Sequence, residues 1–243
     1  MLELKDISLV FNKNSNSSIE ALNDINISFN EREWTYIIGG NGSGKSTLLK
    51  VINKELMPDS GEVLYNDCSM DDILLIDQVT SKNLVVTMTV YENLIFGLKK
   101  EGMLLNLNFY QQKRYRQRVL EILTCFNLGL ENRLNEQVRF LSGGEQQILV
   151  AARIMLSNPK ILLMDEFTSA LDQKWAPFIL HKLKTYVVEN KIMVIAITHD
   201  YNQINNTGDR LLMLKNGKII ADKKNNDFDF STLSILNLFN ERL

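Results

Sequence analysis

Gly39-Gly40-Asn41-Gly42-Ser43-Gly44-Lys45-Ser46-Thr47 is the stretch that decides the fold, and it directly follows the apolar run Trp34–Ile38. A continuously apolar run of this length is typical of a central strand in a parallel sheet. The glycines allow the backbone to turn its N–H groups inward around an anion, and a helix beginning near Lys45 would point its positive dipole end at the same place. Strand, glycine-rich loop and helix in this order predict a phosphate-binding loop in an α/β fold.

A second apolar run, 161–164, ends in the acidic pair Asp165-Glu166. Open α/β sheets place their ligands at the carboxyl ends of their strands, and burying two acids there without a purpose would be costly. We therefore expect both carboxylates to have a functional role at the carboxyl end of this strand. A strand-end salt bridge is the alternative interpretation of the pair.

Between these two motifs lies Leu141-Ser142-Gly143-Gly144-Glu145, just before a helix expected at 146–157. At a helix start, the Ser142 side chain and the glycine N–H groups are expected to be free to bind an anion. A plain helix N-cap is the alternative. In a single chain, two phosphate-binding helix starts would be surplus.

Strands dominate the two ends of the chain and helices its middle. Alternation of polar and apolar residues predicts half-buried strands at 2–11 and 25–29, and helical spacing predicts a helical lobe between about 89 and 140. A further strand is expected at 193–197, followed by a hairpin over 211–221 that turns at Asn216-Gly217.

Taken together, the phosphate loop, Leu-Ser-Gly-Gly-Glu and Asp-Glu make the chain resemble the ATP-binding (nucleotide-binding) subunits of ABC transporters, from Leu2 to about Ala221. The resemblance implies an α/β fold: a P-loop NTPase core, RecA-like with a mostly parallel sheet, an N-terminal antiparallel β subdomain and an inserted α-helical subdomain. An ABC ATPase domain would span 1–225, with its core at 1–79 and 146–225 and its helical subdomain at about 80–145. A C-terminal tail, 226–243, would follow.

The same resemblance implies a mechanism in which two copies dimerise head to tail and sandwich two ATP molecules with Mg²⁺. Lys45 would reach the β- and γ-phosphates, Glu166 would polarise the attacking water, and His199 would contact the γ-phosphate. The expected Mg²⁺ ligands are Ser46, Gln78 and Asp165. The other expected nucleotide contacts are Phe11, Gly39, Asn41, Gly42, Ser43, Gly44, Thr47, Ser142, Gly143, Gly144 and Asp172.

Some of these assignments have structural alternatives. The alternative for Gln78 is a solvated amide at a strand end, and that for His199 is a satisfied core histidine. Phe11 is expected to stack on adenine, and the alternative is a core residue of an early strand. His181 lies in a helical stretch and is interpreted as structural.

Three residues depart from the family pattern. Arg32 stands where relatives usually carry glycine, and it would cost on the order of 1 kcal/mol if its turn requires a positive φ. Gly40 and Phe167 replace common prolines. None of the three removes a chemical group that hydrolysis needs, so we expect an active ATPase.

Composition limits the partners and the location. The chain has 243 residues, 45% of them hydrophobic, and its net charge of −2 gives no support to nucleic-acid binding. The two cysteines are not spaced as metal ligands, so we expect neither a zinc site nor a disulfide framework. The N-terminus lacks a secretory pattern. No apolar run approaches the roughly 20 residues that a membrane helix needs. We expect a cytoplasmic protein, peripheral on the inner face of the cell membrane.

Two segments indicate the partners. Residues 88–94 and 128–134 resemble those of ATPases that serve membrane permeases and a substrate-binding protein, amino-acid importers among them. The expected partners are therefore a second copy of the chain, transmembrane permease subunits and an extracytoplasmic substrate-binding protein. The alternative is a soluble ABC-type ATPase acting on ribosome or DNA, although such proteins usually carry two ATPase domains or long heptad coiled coils.

Overall fold

The computed structural model describes residues 1–13, 17–78, 80–96, 109–168 and 175–242. These residues form two compact units. The first unit contains Met1–Ile76, Lys160–Phe167 and Lys191–Leu243, and the second contains Asp77–Pro159 and Thr168–Asn190. No helix among the described residues has both the length and the apolar composition that crossing a bilayer requires.

The first unit is built on two sheets. Its strands are β1 Leu2–Phe11, β2 Ile19–Phe29, β3 Trp34–Ile38, β4 Ser60–Tyr65, β5 Ile73–Ile76, β6 Ile161–Asp165, β7 Met193–Ile197, β8 Arg210–Lys215 and β9 Lys218–Lys224. Within the described ranges, an antiparallel sheet has the order β2-β1-β4, and a larger sheet has the order β5-β6-β7-β3-β8-β9. The larger sheet is parallel except for the hairpin of β8 and β9. The α/β fold with a mostly parallel sheet and an antiparallel β subdomain is confirmed.

The hydrophobic core of the first unit explains why these segments form strands. All residues of β3 and β7 are buried, which is expected of central strands covered on both faces. Helix α1, Lys45–Ile52, contributes Leu48, Leu49, Val51 and Ile52 to the same hydrophobic cluster as the inward residues of both sheets. The helix therefore joins the antiparallel sheet to the parallel one directly behind the phosphate loop.

Strand register positions the site. Ile197 of β7 pairs with Ile37 of β3 on one side and with Asp165 of β6 on the other. Because the three strands are parallel, their carboxyl ends lie at one edge of the sheet, where β3 enters the phosphate loop and β6 delivers its acids.

Two glycines of the phosphate loop are required by neighbouring backbone. Gly39 has φ 153°, and a Cβ there would lie 2.2 Å from the Leu214 carbonyl oxygen. Gly44 has φ 103°, and a Cβ there would lie 2.3 Å from the Ala21 carbonyl oxygen. Any side chain at either position would push the loop away from β8 or β2, because backbone atoms cannot rotate aside as a flexible side chain can.

The second unit is helical. Its helices are α2 Thr80–Asn83, α3 Val90–Phe96, α4 Phe109–Phe126, α5 Gly143–Ser157 and α6 Trp175–Glu189, with 3₁₀ turns at Leu130–Asn132 and Val138–Phe140. The predicted helical lobe thus consists of separate helices and turns, and α5 begins earlier than its predicted start at 146. His181 lies on α6 and is exposed, as a structural helix residue would be.

The last segments belong to the first unit. Helix α7, Tyr201–Thr207, follows β7, and the predicted hairpin turns at Asn216-Gly217 as expected. The tail contains α8, Thr232–Arg242, which contacts α7. Phe230, before this helix, and Ile235, within it, are buried. The tail is therefore docked on its own unit.

Arg32 occupies the left-handed region with φ 62°, so the turn before β3 does require the conformation that favours glycine. Its side chain is exposed, and its N–H donates to the Ile192 carbonyl at 3.1 Å. We predict that Arg32→Gly raises the free energy of unfolding by about 0.5 to 1 kcal/mol, because glycine adopts this φ without strain. Urea denaturation would measure the change.

Arg32→Ala is the matched control, because it removes the same side chain and keeps an L residue at the strained position. It should leave the unfolding free energy within about 0.5 kcal/mol of the parent. Equal stabilisation by alanine and glycine would show that the side chain, and not the backbone, is responsible.

Candidate functional site

A cavity of about 320 Å³ lies over the phosphate loop in the first unit. It brings together the loop, the acid after β6 and the histidine after β7, which the sequence assigned to one site. The cavity is lined by Phe11, Ile19, Ala21, Asn41, Gly42, Ser43, Gly44, Lys45, Ser46, Thr47, Glu166 and His199.

The loop is shaped to receive an anion. A Cβ added to Gly40 or Gly42 would meet no atom within 4 Å, so the space over the loop is open at both positions. The Ser43 hydroxyl is buried and, among the residues the structure describes, lacks a hydrogen-bond partner. Since buried polar groups are rarely left unpaired, the open space and the unpaired hydroxyl fit a phosphate group.

Lys45 is held inside the loop. Only 7% of the residue is exposed, and its Nζ donates to the carbonyl oxygens of Gly39 at 2.8 Å and Gly40 at 2.9 Å. Burial lowers the pKa of the ammonium, while the negative charges of Glu166 and Asp165 act in the opposite direction. A phosphate bound over the loop would add a negative charge next to this buried cation.

The acidic strand end carries a strained residue. Asp165 ends β6, and Glu166 follows with φ 47°, a left-handed conformation that is rare for a residue other than glycine. The Glu166 N–H donates to the Ile197 carbonyl at 3.1 Å, and the His199 Nε2 lies 3.2 Å from Glu166 Oε1. The hydrogen bond to the Ile197 carbonyl holds Glu166 in place, and the Glu166 carboxylate faces the cavity beside His199. The strain is of the kind that concentrates at functional sites.

Phe11 lies at the end of β1 and is not a core residue. Its exposed fraction is 37%, and it lines the cavity next to Ile19, the first residue of β2. An exposed aromatic ring at the mouth of a phosphate site offers a flat apolar surface on which a nucleobase can stack. The alternative of a buried core phenylalanine does not describe this residue.

The predicted metal ligands supply hard oxygen donors. Ser46, on the first turn of α1, lines the cavity, and Asp165 is half-buried at the end of β6. The described part of the chain contains no group of three or more His, Cys, Asp and Glu residues that would hold a metal by itself. One hydroxyl and one carboxylate fit Mg²⁺, which takes few protein ligands and completes its shell with phosphate oxygens and water.

Ser142 lies in the second unit as the N-cap of α5, and its side chain is not free. Its hydroxyl accepts from the Glu145 N–H at 3.3 Å and contacts Glu145 Oε2 at 2.9 Å, while its own N–H donates to Oε2 at 2.7 Å. This is a capping box, so the expectation of a free serine side chain is wrong for this conformation. Gly143 is open, since a Cβ there would meet no atom within 4 Å. A Cβ at Gly144 would lie 3.5 Å from the Trp175 ring.

Two further predicted site residues do not belong to the described part of the first unit. Gln78 lies two residues beyond β5, is exposed and belongs to the second unit. Asp172 lies outside the described residues.

The structure also identifies residues that sequence reasoning missed. Ile19 lines the cavity together with Phe11. Its position at the end of a strand was the one signal in the sequence that could have suggested this. Glu145 engages Ser142, and the Ser-x-x-Glu spacing of a capping box was the available signal. Arg133, which contacts Glu145, carried no local signal.

Comparisons with known proteins agree with this geometry. The family model described as ABC transporter matches residues 22–169. The chain is 32% identical over 237 residues to a tyrosine transport ATP-binding protein of Clostridioides difficile (strain R20291), covering 93% of each chain. It is 34% identical to a putative hemin import ATP-binding protein of Staphylococcus haemolyticus (strain JCSC1435), covering 90% of this chain and 98% of that one.

A solved structure extends the likeness to three dimensions. It is a dimeric, post-hydrolysis ATP-binding cassette bound to ADP and Pi, 32% identical, with a TM-score of 0.73 and coverage of 92% of this chain and 98% of that one. The chain has a cavity over a phosphate loop, an acidic strand end beside a histidine, and a matching family model. It therefore belongs to the ABC transporter family, among its ATP-binding subunits.

Proposed function

We propose that the chain binds and hydrolyses ATP and couples this reaction to solute transport through partner permeases in the membrane. The observation that carries the proposal is the cavity in which the phosphate loop, Glu166 and His199 face one another. Such a cavity supports the proposal, because hydrolysis of a phosphoanhydride would need a water-activating carboxylate next to a phosphate site. The transport names of the relatives support the coupling to a permease.

ATP would lie with its phosphates over the loop and its adenine against Phe11. The backbone N–H groups of residues 39–44 and the hydroxyl of Ser43 would hold the phosphate oxygens, and Lys45 would exchange its carbonyl partners for them. Ser46, Asp165 and Gln78 would hold Mg²⁺, which when bound neutralises charge on the β- and γ-phosphates.

Catalysis by these residues is positional and electrostatic. Glu166, held by its backbone bond to β7, would accept a hydrogen bond from the attacking water and so polarise it. His199, within hydrogen-bond distance of Glu166, would orient that carboxylate and contact the γ-phosphate. Asp172 would help to align Glu166 from the partner side of the dimer.

Two copies are proposed to close head to tail, with Ser142, Gly143 and Gly144 of one copy against the γ-phosphate held by the other. The open N-terminus of α5 supports this, because Gly143 leaves room for an anion at the positive end of a 15-residue helix. The dimeric cassette described above supports the arrangement by similarity.

The family division into a core at 1–79 and 146–225, a helical subdomain at about 80–145 and a tail at 226–243 remains a proposal. In it, the helical subdomain transmits dimer closure to the permease.

We further propose that the protein is peripheral on the inner face of the cell membrane, where permease subunits and an extracytoplasmic substrate-binding protein complete the complex. Recovery of a multispanning membrane protein with this chain from detergent extracts would test the partnership, and recovery of RNA or DNA in its place would contradict it.

Glu166→Gln is predicted to keep ATP binding and to lower the turnover number by roughly 10² or more, because the amide cannot polarise the attacking water as the carboxylate does. The variant should accumulate an ATP-bound dimer. ATPase assays and sedimentation in the presence of ATP would measure both effects. Glu31→Gln, which removes an exposed carboxylate from the same unit, is the control, and hydrolysis by Glu166→Gln at the control's rate would remove Glu166 from this role.

Ser142→Arg is predicted to bind ATP as a monomer and to fail to dimerise, because its own phosphate loop is intact while its helix start is blocked. Thr124→Arg, an exposed helix position of the same unit, controls for the added charge. Fluorescent-nucleotide titration and sedimentation would separate binding from dimerisation. Dimerisation of Ser142→Arg at the level of the control would rule out the sandwich.

Phe11→Ala is predicted to raise the Kd for ATP about tenfold, since stacking of a base on an aromatic ring contributes roughly 1 to 3 kcal/mol. Phe11→Tyr keeps the ring and should keep the affinity. Isothermal titration with ATP and with inorganic triphosphate would check the assignment, because only ATP should lose affinity. An equal loss for triphosphate would place the effect on the loop and not on the base.

A further inference from the structure

Glu145 connects Ser142 to a network of charged side chains in the second unit. The Arg133 guanidinium pairs with Glu136 through Nε and Nη2, both at 2.7 Å, and its remaining Nη1 contacts Glu145 Oε1. The other oxygen of Glu145 takes the N–H and hydroxyl of Ser142. A continuous path of charge-assisted hydrogen bonds thus runs from Glu136 through Arg133 and Glu145 to Ser142.

The network keeps Glu145 ionised although the carboxylate is largely withdrawn from water. Its side chain is 24% exposed, and burial alone would raise its pKa. The hydrogen bonds from Ser142 and from Arg133 outweigh burial, and the pKa of Glu145 lies below its usual value. The pKa of Arg133 is raised, first of all by its pairing with Glu136. A negative charge therefore lies permanently beside the start of α5.

That charge conflicts with the proposed role of the helix start. The γ-phosphate of the partner's ATP would meet the hydroxyl of Ser142, which contacts Glu145 in this conformation. A phosphate and an unpaired carboxylate sharing one serine would repel each other. A cation bound to the far oxygen of the same carboxylate reduces this repulsion.

We propose that Arg133 is a positioning residue for the signature stretch 141–145: it neutralises and orients Glu145 so that Ser142 and Gly143 can receive an anion. This inference rests on the proposed function, because the anion is the γ-phosphate held by a second copy of the chain. Arg133 touches neither nucleotide nor reacting atoms, and it acts through Glu145 on the closure of the dimer.

A purely structural role for Arg133 is the competing explanation. The Arg133 carbonyl accepts the Glu136 N–H at 3.0 Å, and the Glu136 carbonyl in turn accepts the Val90 N–H at 2.9 Å, which supports the start of α3. Loss of the guanidinium could therefore loosen this segment without any effect of charge. The two explanations differ in what happens when Glu145 loses its charge.

The test uses the full-length chain in the Glu166→Gln background, with saturating ATP and Mg²⁺. The variants are Arg133→Ala, Glu145→Gln, the double variant and Glu136→Gln. Glutamine at 145 keeps an oxygen for the capping box and removes the charge. Glu136→Gln is the matched control, because it disturbs the other half of the Arg133 network and leaves the Arg133–Glu145 pair in place. Sedimentation gives the protomer concentration at half-dimerisation, and thermal unfolding gives the Tm of each variant.

Arg133→Ala should raise the half-dimerisation concentration about tenfold, because an uncompensated carboxylate then faces the phosphate. The double variant should return it to within about threefold of the parent, although its Tm stays low, since a neutral residue at 145 needs no counter-charge. For Glu145→Gln alone and for Glu136→Gln, the protomer concentration at half-dimerisation should be no more than about three times that of the parent. Monomer affinity for ATP should be unchanged in all four variants.

Failure of the double variant to recover dimerisation, or unchanged dimerisation in Arg133→Ala, would overturn the positioning role. If Arg133→Ala does not fold, Arg133→Gln, which retains most of the side-chain volume, serves in its place with the same expected outcomes. Failure of the proposed function is distinguishable, because Ser142→Arg would then dimerise normally. Normal dimerisation of Arg133→Ala together with a monomeric Ser142→Arg would refute this inference alone.

Discussion

Parallel pairing of β6, β7 and β3 is the constraint on which the site depends. Each strand is short and nearly all its residues are buried, so its register is held by apolar side chains on both faces of the sheet. The pairing of Ile37, Ile197 and Asp165 across three strands brings a phosphate loop, a histidine turn and an acidic end to one edge. A slip of one residue in any of these strands would invert its faces and shift its carboxyl end relative to the others.

Close backbone contacts turn this edge into a shaped site. The strands behind the loop approach it so closely that Gly39 and Gly44 tolerate no side chain, whereas Gly40 and Gly42 face open space. The loop is thus fixed from behind and open in front. Glu166 is fixed in a comparable way, since its left-handed backbone is stabilised by the bond from its N–H to β7. Strain at this one residue is offset by the packing of the whole sheet.

The sequence was sufficient for some contiguous motifs, although not for the side chain of Ser142, which is engaged in the capping box with Glu145. The phosphate loop, the acids after β6 and the hairpin at Asn216-Gly217 follow from local pattern, because their chemistry depends on neighbours along the chain. Phe11 was undecided, since its exposure depends on where β1 ends relative to the cavity. The left-handed φ of Arg32 could be predicted only conditionally, because an arginine does not itself indicate such a turn. The pairing of Arg133 with Glu145 joins residues 12 positions apart across irregular backbone, which no periodicity predicts.

The two bonds from Lys45 to the carbonyls of Gly39 and Gly40 have a consequence for the nucleotide cycle. With the Lys45 ammonium bound to carbonyls of the loop's own backbone, this cation has hydrogen-bond partners before any phosphate arrives. Binding then exchanges one set of hydrogen bonds for another and orders little new chain, so little conformational entropy is lost on arrival or regained on departure. The phosphate loop is therefore a receptor that is formed before its ligand arrives.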